Sequence, residues 1–245
     1  LDAVVAGLSD ERWDDPTPSP GWTVRDQIAH LTYFDGTATL AITDPDAFPA
    51  SLAALGPLLA RGEGAMDDET LGWARSLAPA EVLDRWRAGR AALAEAAEHL
   101  QDADRVPWYG PSMGAKSFVT ARLMECWAHG QDVVDAVGGS RPATDRLAHI
   151  VRLGVITRGW TYANRGEEPP AAEVRVDLGA PSGERWTFVP ARAADVVTGP
   201  AEDFCLVVTQ RRHVDDTALD VRGPAARDWM EKAQAFAGPP TQRPG

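Results

Sequence analysis

The sequence predicts a mostly α protein, a helical bundle followed by a small α+β domain. Three observations predict it. Up to about position 165, apolar residues recur at helical spacing in segments of about 20 residues with modest loops between them. After the polar, Pro-rich stretch at 164–170 the texture changes to short alternating runs separated by turn residues. The chain has 245 residues, 44% of them hydrophobic and 24% charged, which suffices for one large domain or two small ones. The expected division is therefore 1–165 and 166–245.

The elements follow in order. Residues 1–8 read as the tail of a helix, and the chain opens on Leu rather than Met, so residues upstream are expected. Residues 23–42 form a helix that starts on a capping-box pattern, Thr23-x-x-Asp26, after Pro20-Gly21, with Val24, Ile28, Leu31 and Ala38 on one side. The stretch 44–77 is ambiguous: Pro and Gly punctuate it, and a short helix near 51–59 is the one element it suggests. Residues 79–100 form a helix with Pro79 in its first turn and Val82, Leu83, Trp86 and Leu93 as its buried side. Residues 117–137 form another, ended by Gly138-Gly139, and residues 147–162 a fourth. Antiparallel helices of this length suggest a four-helix bundle. Beyond the break, 173–178 and 185–189 pair as a hairpin around the turn Pro181-Ser182-Gly183-Glu184. Residues 195–198 add a third strand and 218–221 a short fourth, with helices at 201–210 and 224–237 and a frayed tail from 238 onward.

Composition excludes several functions. Basic residues number 24 and acidic residues 36, giving a net charge of −12. Unaided electrostatic binding to a nucleic-acid backbone is not expected. Two cysteines, Cys126 and Cys205, exclude a disulfide scaffold and a Cys-only zinc site. No apolar run approaches the ~18 residues of a membrane span, and the start of the chain is not a signal peptide. The expectation is a cytoplasmic protein, monomer or homodimer, acting on a small molecule without nucleic-acid or membrane partners. Of the basic residues only Lys116 and Lys232 are lysine, an Arg-rich bias that fits a GC-rich genome.

Glu125-x-x-x-His129 is the first chemical constellation. Residues four apart share one helical face, so a carboxylate and an imidazole there can grip one metal ion. His30, on a different helix, could supply a third ligand, and a His/Glu/His set with an open position describes a catalytic metal site. The competing reading is plain: Arg122, Glu125, His129 and Asp132 also form a polar stripe of the kind a helix shows to solvent.

Residues 21–31, GWTVRDQIAHL, resemble the opening motif of the DinB-like superfamily. They are more closely similar to that of the mycothiol-dependent maleylpyruvate isomerase N-terminal domain. Residues 121–133, ARLMECWAHGQDV, resemble the second metal motif of that family. The resemblance implies a DinB-like four-helix bundle over 1–165 that binds one divalent metal, usually zinc, through His30, Glu125 and His129. Many DinB relatives carry His where Glu125 stands. The resemblance also implies mycothiol as cosubstrate for isomerisation or S-transfer on a small electrophile. The alternatives are a metal-dependent hydrolase, isomerase or cyclase working without thiol, and a non-catalytic metal-binding module.

Residues 197–213, VTGPAEDFCLVVTQRRH, resemble a small actinobacterial C-terminal domain labelled as related to wyosine-base formation. The resemblance implies a shared module; the acidic chain gives no support to tRNA chemistry. In the isomerase family the C-terminal domain offers an arginine to the substrate, which implies a catalytic role for Arg211 or Arg212 because a guanidinium holds a carboxylate by two hydrogen bonds. The competing reading is a cationic pair at the C-terminal end of a helix. Three further features carry no chemistry in this reading. The 110–117 loop is a near miss of a phosphate loop, with Ala115 where a Gly is needed and Trp108 and Tyr109 as possible lining. Cys126 and Cys205 read as core thiols. Trp22 is expected to pack near the metal helices.

Overall fold

The computed structural model describes residues 1–109, 112–188, 193–238 and 240. The chain forms two compact units, Leu1–Arg141 and Pro142–Gly245. The expected loop at 110–117 therefore has Gly110 and Pro111 outside the described residues. The same holds for Val189 at the end of the expected second strand and for most of the tail after 238.

In the first unit a short turn, α1 (Asp2–Val5), precedes α2 (Val24–Thr43). α2 starts as its sequence dictates. The Asp26 amide donates to the Thr23 hydroxyl and the Thr23 amide to the Asp26 carboxylate, at 3.3 and 3.0 Å. α2 is followed by α3 (Phe48–Arg61), α4 (Glu63–Arg75), α5 (Pro79–Glu98) and α6 (Ala115–Ala136). A two-stranded antiparallel ribbon, β1 (Arg105–Val106) with β2 (Met113–Gly114), leads into α6. α2 packs against α4, α5 and α6, so it is the central helix. Its apolar side, Val24, Ile28, Ala29 and Leu31, meets Leu71 and Ala74 of α4, Val82 and Trp86 of α5 and Val133 of α6. Each large side chain fully buried in this way contributes about 1.5–3 kcal/mol.

The four-helix bundle is present, but its membership differs from the expectation. The second helix of the bundle is the α3–α4 pair from the stretch that read as ambiguous. Pro57 inside α3, and Gly62 at φ 97° between the two helices, disguise it. The segment 147–162, expected as a bundle helix, belongs to the second unit. It breaks at Thr157 into α7 (Leu147–Ile156) and α8 (Arg158–Ala163). Packing decides this. α7 lies on α9 (Ala201–Val208), where the missing side chain of Gly154 admits Phe204 and Val208; a Cβ there would stand 3.0 Å from both. α8 is tied to the C-terminal end by Tyr162, whose hydroxyl donates to Asp228 at 2.7 Å.

The second unit carries a four-stranded sheet in the order β4-β3-β5-β6, formed by β3 (Val174–Gly179), β4 (Arg185–Phe188), β5 (Asp195–Pro200) and β6 (Asp220–Arg222). β3 pairs antiparallel with β4 and parallel with β5, and β5 antiparallel with β6. α10 (Pro224–Lys232) closes the unit. The expected hairpin, third and fourth strands and both helices are all there. The fold class is thus a helical bundle followed by a small α+β part. Among the described residues no helix is long and apolar enough to cross a membrane.

Candidate metal centre

α2 and α6 build the site from one face each. On α2, Gln27, His30 and Phe34 follow at three- and four-residue steps; on α6, Arg122, Glu125 and His129 do the same. Where the helices meet, His129 Nε2 stands 3.2 Å and His30 Nε2 3.6 Å from Glu125 Oε2. One ligand atom from each of the three residues lies within 4.8 Å of the others. The polar stripe on α6 is therefore turned inward: Arg122, His129 and Asp132 are buried and Glu125 is half-buried.

The surroundings are aromatic. The Trp22 ring lies 5.1 Å from the His30 ring and stacks on the His129 ring at 6.0 Å, and its indole N–H donates to Asp67 of α4 at 3.2 Å. Phe34 sits 4.6 Å from His30 and reaches Tyr109 and Trp108 at 5.6 and 6.5 Å. One turn before Glu125, Arg122 donates to Asp35 of α2 at 3.0 Å and holds its guanidinium 5.8 Å from the Trp108 ring.

The electrostatics follow from these neighbours. Burial alone would raise the Glu125 carboxyl, but hydrogen bonds from His129 and His30 and the nearby positive charge outweigh it, holding Glu125 well below the usual carboxylate range. Asp35 goes the other way: burial pushes it up, and Arg122 only partly offsets this. Two imidazoles and a carboxylate in one cluster are a donor set suited to a borderline divalent ion such as zinc.

The structure brings His30, Glu125 and His129 together in one cluster. Trp22 packs beside them as expected. Arg211 and Arg212 stand in the second unit, just past α9, and donate to the carbonyls of Thr209 and Arg211 at 2.8 and 2.7 Å. Lys116, in the near-miss phosphate loop, pairs with Asp102 at 2.7 Å on the surface. Cys126 packs against the bundle core and Cys205 is fully buried; burial raises both thiols, Cys205 well above the usual range. Sequence reasoning missed Gln27, whose Oε1 lies 2.6 Å from His129 Nδ1, and the buried Arg122–Asp35 pair. The signal for Gln27 was available: it lies three residues before His30, on the same face of the helix.

A helical bundle with an inward His/Glu/His cluster defines the class. The comparisons then give the family. Residues 1–134, more than half of the chain, match the family model of the mycothiol maleylpyruvate isomerase N-terminal domain. The chain belongs to that family. Two uncharacterized proteins of Mycobacterium tuberculosis, from strains CDC 1551/Oshkosh and H37Rv, are each 46% identical over 240 residues, covering 98% of this chain and 92% of theirs. The fold is similar to crystal structures of the mycothiol-dependent maleylpyruvate isomerase and of a histidine-to-alanine mutant of it. Their TM-scores are 0.56 and 0.57 at 17% identity, with 91% of this chain and 89% of those chains covered. The family match ends at residue 134 and does not reach the C-terminal part.

Proposed function

We propose that this chain is a metal-dependent enzyme that uses mycothiol for isomerisation or S-transfer on a small electrophilic substrate. The observation that carries the reading is the convergence of His30, Glu125 and His129 within 4.8 Å in a member of this family. Zinc is the proposed ion, held by the two Nε2 atoms and the Glu125 carboxylate. A divalent ion there would lower the pKa of a coordinated thiol or water and so supply a nucleophile near neutral pH. The residues around it have separable tasks. Glu125 brings the negative charge that offsets the ion. Trp22 and Phe34 flank the imidazoles with aromatic surface. Arg122, already paired with Asp35, keeps a positive charge one turn from Glu125 without competing for the ion. Arg211 and Arg212 are proposed as the groups that bind a substrate carboxylate, supported by the forked geometry of guanidinium. The thiols of half-buried Cys126 and fully buried Cys205, both raised by burial, fit a reaction whose sulfur comes from the cosubstrate. The proposed setting is the cytoplasm, with no nucleic-acid partner.

The test uses the purified full chain. Elemental analysis is expected to give about one divalent ion per chain. Incubation with mycothiol and a panel of unsaturated carbonyl electrophiles is expected to give isomer or thioether products only when both thiol and metal are present. Turnover with water alone would replace the thiol reading by a hydrolase, and a chain that takes up no ion in metal-replete medium would overturn the metal reading.

A further inference from the structure

We infer that Gln27 is a positioning residue for His129: it holds a proton on Nδ1, so that Nε2, which meets Glu125 and His30, is the nitrogen that gives up its proton when an ion binds. The effect on metal binding rests on the metal reading above; the Nδ1 hydrogen bond itself does not.

The argument runs through hydrogen-bond directions. The Thr17 hydroxyl lies 2.9 Å from the Trp22 carbonyl oxygen, which can only accept, so the hydroxyl donates there. Its lone pairs are then left for Gln27, whose side-chain amide lies 2.9 Å from the same oxygen and has to present its N–H₂ end. That orientation sends Gln27 Oε1 to His129 Nδ1 at 2.6 Å. A carbonyl oxygen has no proton to give, so Nδ1 carries it. Gln27 is fully buried. Asp132 Oδ2 stands 3.9 Å from Nδ1, beyond hydrogen-bond distance, and accepts from the Ser19 hydroxyl at 3.3 Å.

Two consequences follow. The relay Trp22 carbonyl, Thr17, Gln27, His129 joins the loop before α2 to a residue on α6, so the segment 17–30 supplies both a proposed ligand, His30, and the device that orients another. The buttress is a neutral amide where many metal-binding histidines have a carboxylate. It orients the ring without adding negative charge, so an ion held there would keep more of its power to acidify a coordinated thiol.

The experiment measures the Nδ1 proton and the affinity separately. In the zinc-loaded full chain, ring ¹⁵N spectra are expected to show His129 protonated at Nδ1 and coordinated through Nε2; coordination through Nδ1 overturns the inference, and a bare Nδ1 in the metal-free chain does the same. Gln27→Met keeps the shape and removes the acceptor. Zinc affinity by chelator competition is expected to fall about 10–100-fold with unchanged circular dichroism, and Gln27→Glu, which keeps an acceptor, is expected to rescue it. Parent-like affinity in Gln27→Met overturns the proposal. Should Gln27→Met fail to fold, Thr17→Val, which frees the amide to flip, is expected to weaken the Nδ1 proton signal; an unchanged signal there counts against the relay. If the parent chain binds no zinc, the metal reading fails, and the metal-free ring spectrum still decides whether Nδ1 carries a proton.

Discussion

Glu125 and Asp195 are acids withdrawn from solvent, one in each unit, and their partners differ in kind. Asp195 Oδ2 accepts from two backbone amides, Ala225 and Ala226, at 2.6 and 3.1 Å, and thereby caps the start of α10 from a distant strand. Asp177 in β3 is likewise enclosed by Arg175, Arg185 and Thr187. These partners are fixed donors that the fold itself requires. Glu125 is held by two imidazoles, groups that can surrender their protons and turn lone pairs to an ion instead. Buried charge therefore does not by itself mark a site. The second unit spends its buried acids on architecture, whereas the first gathers one among groups that can change partners.

The sharpest way to break this contrast is Glu125→Gln. The amide keeps the shape and can still hydrogen-bond to the imidazoles, but it lacks the charge that offsets a divalent ion. Metal content by elemental analysis is expected to drop from about one per chain to near zero, while the melting temperature of the metal-free protein stays close to that of the parent. Large destabilisation of the metal-free form would place Glu125 with the architectural acids.

Asp195→Ala is the converse. It leaves two buried amide donors at the start of α10 without an acceptor and is expected to cost about 2 kcal/mol, from the roughly 1–3 kcal/mol of a stranded buried group. Denaturant unfolding measures it. Metal content is expected to be unchanged, and Asp195→Asn, which keeps one acceptor oxygen, is expected to recover most of the loss. A neutral result for Asp195→Ala would remove the distinction from the structural side.

The second unit was the more legible of the two, for a physical reason. Its strands alternate, its turn carries Pro-Ser-Gly, and Pro224 stands in the first turn of α10; each is a local signal. In the first unit the signals conflict with the packing. α2 is buried on its polar side as well, with Arg25, Asp26, Gln27 and Asp35 all inside, so an apolar stripe could not reveal its second contact face. α3 and α4 contain Gly56, Pro57 and Gly64, with Gly62 between them, poor helix formers overridden by the burial of Leu55, Leu71 and Ala74. The helix at 147–162 was visible, but its period does not say which core it joins; Gly154 against Phe204 and Val208 does. At the site, the motifs named His30, Glu125 and His129, yet nothing in the spacing of Glu125 and His129 says whether their face looks inward. The Arg122–Asp35 pair becomes visible only when α2 and α6 are laid together, whereas Gln27 shares the His30 face of α2 and could have been found from spacing.

Asp177 offers the finest test, through pH. The hydrogen bond from Arg185, with help from Arg175 and Thr187, outweighs burial and draws its carboxyl down to about 2 from 3.8. The folded-state pKa is below the unfolded one, so the stabilisation is complete above about pH 4 and is lost as the pH falls from about 4 to about 2. Arg185 is largely exposed, and solvent screening reduces the gain to about 1 kcal/mol. Asp177→Asn is therefore expected to lower stability by about that much at neutral pH and to flatten the acid side of the stability curve, read from urea midpoints at several pH values. Glu125 is also drawn down, but chiefly by histidine partners whose own charge depends on pH and on what else they bind. A titration of the parent chain with and without zinc is thus expected to leave the Asp177 limb in place in both and to alter only the part that depends on Glu125. If zinc also moves the limb that Asp177→Asn removes, the two acids are not independent, and the division of labour between the units fails.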